Sequence, residues 1–311
     1  LELNNLDFKG IDLPLYVKRQ ELMAREMNIS HGRIAVFCNN EIQSPDKPVK
    51  TLFPHQLLQS IAAKITIGKL NLSHFDVHYS EYNTERKEKG KISFERTSGW
   101  ISNITNVALQ KEKNPMMEAK LKTYLMGQGE LETNFKFNLL APDGAFSYSG
   151  TLHGLNGTVL NGITKPLGMV HIKSGMVKKL QFDIAANARQ AKGKMEFNYH
   201  DLAIAVLKKD AGDPWYSRQG LLSFLANNMI IKPSNPDHLG LFTTADIDYM
   251  RKPNSGFFSY VWKSLFQGIR TSVGATPQKE AMMKAHISKF EKIKEEREKR
   301  KAARERRRGM K

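Results

Sequence analysis

Two histidines, His74 and His78, stand four residues apart, the spacing at which two imidazoles on one helix face can hold a single zinc ion. They fall, however, in a stretch where Phe75, Val77 and Tyr79 alternate with polar residues, which predicts a strand. Four residues of strand span about 13 Å, too far to share one ion, so neither a metal nor any other cofactor is expected. The single cysteine, Cys38, excludes an internal disulfide and any Cys-x-x-Cys site, and within the run Arg33 to Cys38 it reads as a small buried hydrophobe. The glycines of residues 154–162 (GLNGTVLNG) lack a following Lys-Ser/Thr pair that would open a phosphate-binding helix, so they read as turn chemistry. Asp143, Asp183 and Asp201 fall at turns or on solvent faces. Neither a nucleophile elbow nor a dinucleotide fingerprint occurs, and the chain is expected not to be an enzyme.

What the spacing does build is a surface. Phe135, Phe137 and Leu139, then Phe146 and Tyr148, then Leu180, Phe182 and Ile184, then Met195, Phe197 and Tyr199 recur at every second position with polar residues between them, the period of half-buried strands. Pro142-Asp143-Gly144, Asn156-Gly157, Asn161-Gly162, Ser174-Gly175 and Lys192-Gly193 read as the tight connections. The pattern is an antiparallel meander. Upstream, Leu3 to Phe8, Met27 to Ile29 and Ile34 to Val36 alternate in the same way, while residues 17–27 also fit a short helix. Residues 41–50 read as a loop, and residues 54–63 as a helix opened by Pro54. Phe75 to Phe94 forms a hairpin around a charged turn over residues 81–90, the first of three such units. The fold class expected is mainly β: a long curved antiparallel sheet, a β-groove or half-pipe, with C-terminal amphipathic and basic helices. Its apolar face either packs against another layer as a core or holds an apolar ligand.

The C-terminal third changes character. Gly220 to Ile231 has helical periodicity and is closed by Pro233 and Pro236. Phe257, Phe258, Val261, Trp262, Leu265, Phe266, Ile269 and Val273 then recur every three or four residues, with Ser259, Lys263, Ser264, Gln267 and Arg270 expected on the opposite side. Such a helix suits a membrane interface and equally a lid packed on the open end of the sheet. The chain divides into a sheet region (1–210), a connector with a short helix (211–253), the amphipathic helix (254–275) and a basic helical tail (276–311). The net charge is +17 over 311 residues. From Lys279 to the end, 14 Lys/Arg stand against 6 Asp/Glu, so much of this excess belongs to the tail, where Arg304, Arg306, Arg307 and Arg308 are the candidate contacts to an anionic surface. No run of about 18 apolar residues occurs, and no signal-peptide pattern. The chain opens at Leu1 inside an alternating segment, as a fragment of something longer would, so an anchor is expected upstream.

Gly150-Thr-Leu-His-Gly-Leu, Asn161-Gly-Ile-Thr-Lys-Pro-Leu, Val170-His-Ile-Lys-Ser-Gly and Lys192-Gly-Lys-Met-Glu-Phe-Asn-Tyr-His-Asp-Leu together resemble the C-terminal region of the AsmA-like family, which includes TamB-like and YhdP-like envelope proteins. The upstream KITIGKLNLSHFDVHYSE and GKISFERTSGWISNITN are similar to that family's strand units, so the resemblance covers roughly residues 1–210; the basic end looks like Bacteroidota versions. The resemblance implies an inner-membrane-anchored protein of the cell envelope whose β-groove projects into the periplasm and carries phospholipid, or another acyl lipid, toward the outer membrane. It carries no catalytic residues. The groove lining it implies is Phe135, Phe137, Phe146, Tyr148, Leu180, Phe182, Ile184, Met195 and Phe197; the amphipathic spacing by itself makes Phe257, Phe258, Val261, Trp262, Leu265, Phe266 and Ile269 the candidate contacts to a membrane surface. The alternative is a structural or assembly factor for outer-membrane proteins that receives client strands at its sheet edges. Nucleic acid is not an expected partner, because the aromatics sit inside the alternating strands and do not interleave with the basic run.

Overall fold

A computed structural model describes residues 1–39, 51–83, 87–207, 231–253 and 255–275, with isolated positions between 278 and 300. Ten strands form one open sheet in chain order: β1 (Glu2–Ile11), β2 (Leu22–Asn39), β3 (Ile65–Asn83), β4 (Glu88–Thr105), β5 (Met116–Leu125), β6 (Gly129–Asn138), β7 (Phe146–Asn156), β8 (Val170–Ala186), β9 (Gln190–Val206) and β10 (Thr244–Met250). β1 and β10 are its edges. The protein is thus mainly β, with a C-terminal helix.

All neighbours pair antiparallel except β2 and β3, which run parallel from Leu22 opposite Ile65 to Asn39 opposite Tyr82. The expectation of an antiparallel sheet therefore fails at this one junction, while the meander read over residues 135–199 holds. A parallel neighbour needs a crossover, and the segment that provides it contains helix α2 (Pro54–Ser60). Pro54 opens α2, and the Gln56 side chain accepts from the Phe53 N–H at 3.0 Å. Helix α1 (Leu13–Arg19), capped by the Asp12 carboxylate on the Leu15 N–H at 2.9 Å, joins β1 to β2. It occupies only the first part of the region that also suited a helix; β2 takes the rest.

Several turn signals lie elsewhere than expected. Asn156-Gly157 leads into a short 3-10 turn, and Asn161-Gly162 opens helix α4 (Asn161–Gly168), which follows α3 (Ala108–Lys113). Ser174-Gly175 sits inside β8 at a register shift, a bulge. Gly193 lies in mid-strand between Ile184 and Ile247; a Cβ there would stand 2.1 Å from the Asp183 carbonyl oxygen, so glycine permits close strand approach. The β8–β9 turn is instead made by Asn187, whose Oδ1 accepts from the Arg189 and Gln190 N–H groups. The charged turn expected from residue 81 begins later, because β3 continues to Asn83 with Glu81 buried in it.

The stretch read as a connector contains β10, whose Thr244 to Met250 pair with Glu196 to Gln190 of β9. The expected helix from Gly220 lies outside the described residues except at Ile231, and Arg304, Arg306, Arg307 and Arg308 of the tail lie outside them too. Helix α5 (Phe257–Ser272) falls within the amphipathic stretch.

Candidate functional site

Register collects the alternating apolar residues onto one side of the sheet. Phe137 stands opposite Phe146, and Phe135 opposite Tyr148. Tyr148 faces Ile184, and Leu152 faces Leu180. Phe182 meets Met195, and Leu180 meets Phe197. Because side chains alternate with period two, these pairings place all nine candidate groove residues on one face. Eight of them are buried, and Phe135 is half-buried against the same cluster.

Helix α5 covers this face. Its most deeply buried positions are not the expected stripe: Ser259, Tyr260, Ser264, Gly268 and Ser272 are its buried residues, while Phe257 of the stripe lies against Phe135, Phe137 and Phe146 at their flank. The expectation that Ser259 and Ser264 face outward is overturned, and the reason is volume. The sheet face is already filled by large side chains, so close approach demands small ones on the helix. A Cβ on Gly268 would lie 2.9 Å from both Ile247 Cδ1 and Met195 Sδ. The Tyr148 hydroxyl hydrogen-bonds Ser264 Oγ, which donates to the Val261 carbonyl at 2.7 Å. Phe257, Val261, Leu265 and Ile269 flank the contact, half-buried against the core. Phe258 stacks on Tyr79 and Trp262 packs against Phe266, whose ring lies over Gly168 of α4.

The N-terminal half of α5 is fixed by a charged cluster that sequence inspection missed. The Glu81 carboxylate, buried on β3, accepts from Lys263 Nζ at 2.7 Å, from the Tyr79 hydroxyl at 2.9 Å, and from Ser259 Oγ and Trp262 Nε1 at 3.3 Å each. Lys263 also donates to Ser259 Oγ at 2.7 Å. Burial pushes the Glu81 carboxyl up, but the Lys263 charge and these hydrogen bonds outweigh it and hold the group below its usual range. Burial, then the Glu81 charge, push both the Tyr79 hydroxyl and the Cys38 thiol up, so Cys38 is a poor nucleophile. An acidic residue that continues the inward-facing phase of Phe75, Val77 and Tyr79 along an alternating strand is the signal that could have marked Glu81, had its partner on α5 been known.

A second fastening lies before the helix. Arg251 donates to the Thr51 carbonyl at 2.8 Å and the Ser255 carbonyl at 2.6 Å, and its guanidinium stacks over Phe53 with 4.4 Å to the ring centroid. Phe53 stacks on Tyr260 and meets Phe146 edge-on. Beside it His55 is buried among Phe53, Phe137 and Phe146, and neither ring nitrogen has a hydrogen-bond partner among the described residues. Burial lowers its pKa to about 4, so it is neutral at pH 7.

His74 and His78 both lie on β3, and His74 stacks on His31 of β2 at 5.2 Å. No group of three or more metal-ligating side chains occurs among the described residues. None of the described helices is long and apolar enough to cross a membrane. Asp143 serves the β6–β7 turn, its carboxylate accepting from the Ala145 N–H and from Asn187. The assembled site is therefore a broad apolar sheet face under a helix held at three places. Comparison with protein-family models, curated proteins and solved structures finds no match to this chain.

Proposed function

We propose that this is a non-enzymatic envelope protein that carries phospholipid between the inner and outer membranes on its apolar sheet face, with α5 as the cover that lipid displaces. The observation that carries the reading is the contiguous apolar face of β5 to β10 beneath a helix that meets it through Ser259, Tyr260, Ser264, Gly268 and Ser272. The AsmA-like resemblance supports the same assignment, and with it a periplasmic location and an anchor upstream of this chain.

Two features favour a trough over a flat layer. Ser259 meets Glu81 of β3 while Gln267 meets Asp248 of β10. Eight residues of helix cover about 12 Å, whereas seven strand spacings on a flat sheet would cover about 33 Å. Left-handed residues inside strands at His74, Arg96 and Asp201 fall at register shifts, the bulges that bend strands. The sheet curls around α5, and the space α5 fills is the space an acyl chain would take.

The cover is removable because its seat is imperfect. Tyr249, Tyr260 and Ser272 have buried hydroxyls with no hydrogen-bond partner among the described residues, each costing roughly 1–3 kcal/mol. Each methylene moved from water onto the face contributes about 0.8 kcal/mol, so one acyl chain offsets the apolar contacts of the helix. Once released, α5 offers Phe257, Phe258, Trp262 and Phe266 to a bilayer surface.

Native mass spectrometry and organic extraction of the purified chain, together with the Glu81→Gln variant that weakens the cover, test this reading. Phospholipid at defined stoichiometry, increased in the variant, is the expected result. Lipid-free protein in both cases, each with a cooperative melt, would make the face an ordinary core and remove lipid carriage.

A further inference from the structure

β10 is the last strand of the sheet, so one row of its backbone groups has no strand neighbour. The Arg251 N–H bonds to the Arg189 carbonyl at 2.8 Å, so the odd-numbered residues of β10 point their backbone groups toward β9 and the even-numbered ones point outward. At Asp248 both outward groups are occupied by a single side chain. Gln267 Oε1 accepts from the Asp248 N–H at 3.1 Å, and Gln267 Nε2 donates to the Asp248 carbonyl at 3.0 Å. A carboxamide carries one acceptor and one donor side arranged like a peptide group, so Gln267 stands where the backbone of an eleventh strand would stand. Asn161 does the same inside the sheet, past the end of β7, on the Ile172 N–H and carbonyl at 2.8 and 2.9 Å. There the amide fills a gap between strands; at Gln267 it closes an edge. No hydrogen bond reaches the outward backbone of Asp246 among the described residues.

We propose that the β10 edge is an acceptor for an extended segment that alternates apolar with basic residues, and that the Gln267 side chain keeps it closed. The helix backbone lies over the sheet face, with Gly268 against Ile247 and Met195, and among the described residues only Gln267 reaches round to the edge. An added strand would place alternate side chains on the face that buries Ala245 and Ile247, which calls for apolar residues. The others would stand beside Asp246 and Asp248 on the exposed face, carboxylates that face Lys194 and Lys192 of β9 on one side, with Lys192 3.5 Å from Asp248, and that would take Lys or Arg on the other. A second copy of this chain fits poorly, since pairing β10 with itself about Ile247 sets Asp246 against Asp248 in both directions and opposes like charges. The inference does not rest on lipid carriage.

Fluorescence anisotropy on the full chain tests it, with a labelled peptide alternating valine and lysine and a control alternating valine and glutamate. The proteins are wild type, Gln267→Ala, and Gln267→Ala combined with Asp246→Asn and Asp248→Asn; amide exchange at Asp248 monitors the cap. In Gln267→Ala the Asp248 amide should exchange faster and the valine–lysine peptide should bind about tenfold tighter than to wild type, as expected for one freed pair of backbone hydrogen bonds. The gain should vanish in the triple variant and be absent with the control peptide. Unchanged exchange at Asp248, faster exchange without tighter binding, equal binding of both peptides, or dimerisation of Gln267→Ala in place of peptide capture would each overturn the proposal.

Discussion

The two ends of the sheet are built alike as strands and unlike as surfaces. Between β5 and β10 nearly every inward residue is buried, and α5 lies across them. In β1 only Phe8 is even partly buried, while Leu3, Leu6 and Ile11 are exposed, as are Leu13, Tyr16 and Val17 of α1. Alternation alone therefore does not make a core. The same period-two pattern is stabilising where a second layer removes it from water and nearly neutral where none does. The edges differ in the same sense: Gln267 closes β10, and no comparable amide reaches β1 among the described residues. The covered half stores most of the folding energy, and the fastenings of α5 decide how firmly it stays covered.

The largest expected effect comes from breaking the buried charge cluster. Glu81→Ala leaves the Lys263 ammonium beside Ser259 with its carboxylate gone, and removing one partner of a buried pair costs about 3–5 kcal/mol. Chemical denaturation should show that loss. Glu81→Gln combined with Lys263→Met should recover part of it, because the amide oxygen still accepts from Tyr79, Ser259 and Trp262 while neither member of the pair is charged. If the double variant is as unstable as Glu81→Ala, the charge of the pair is not what the substitution removes.

Truncating side chains in the two halves tests the comparison directly. Leu155, fully buried on β7, should cost about 2–5 kcal/mol as Leu155→Ala through lost transfer energy and a residual cavity. Leu6→Ala on β1, where the side chain is about half exposed, should cost under about 0.5 kcal/mol. Equal losses would mean that β1 is covered in solution by something other than the described residues.

Acid should loosen the covered half first. His55 is neutral in the fold with its pKa lowered to about 4, whereas an unfolded histidine titrates near 6.5. Between those values the unfolded chain binds a proton that the folded one does not. Stability is therefore full above about pH 6.5, falls toward pH 4 by up to roughly 3 kcal/mol, and levels off below. The Glu81 carboxyl, held below its usual range, acts with the same sign in a lower window: its stabilisation is present above the ordinary carboxylate pKa and is lost as pH falls below it. His55→Leu should flatten the upper part of the profile and leave the lower part unchanged, which equilibrium unfolding across pH will reveal.

The strands of the covered half were readable from residues 135 to 199 because each side of those strands meets a different environment, and alternation records that. The helix at residues 257–272 was equally visible. Its orientation was not, because a hydrophobic stripe indicates which residues avoid water and does not indicate which contact is closest. Ser264 and Gly268 go deepest since Tyr148, Met195 and Ile247 already fill the space. The parallel junction of β2 and β3 was invisible for a different reason: a strand's residues alternate in the same way whichever direction its neighbour runs. The roles of Glu81 and Gln267 were not legible because each is ordinary alone, as a turn residue or on a polar helix side, and the chemistry belongs to pairs about 180 and 20 residues apart in the chain.

The smallest effect expected within the covered half is the most specific to the seating of that helix. Tyr148→Phe removes one hydroxyl from the centre of the covered face and leaves the ring, with its stacking on Phe135 and Phe146. Ser264 keeps its bond to the Val261 carbonyl, so no donor is stranded and the loss should be about 1 kcal/mol, the net worth of one buried hydrogen bond. Had α5 met the sheet through Trp262 and Phe266, Tyr148 and Ser264 would not touch, and the two substitutions Tyr148→Phe and Ser264→Ala would add independently. With the helix seated on its serines they should not: the double variant should cost measurably less than the sum, because the second change removes a bond already lost. A double-mutant cycle with zero coupling would turn the helix over.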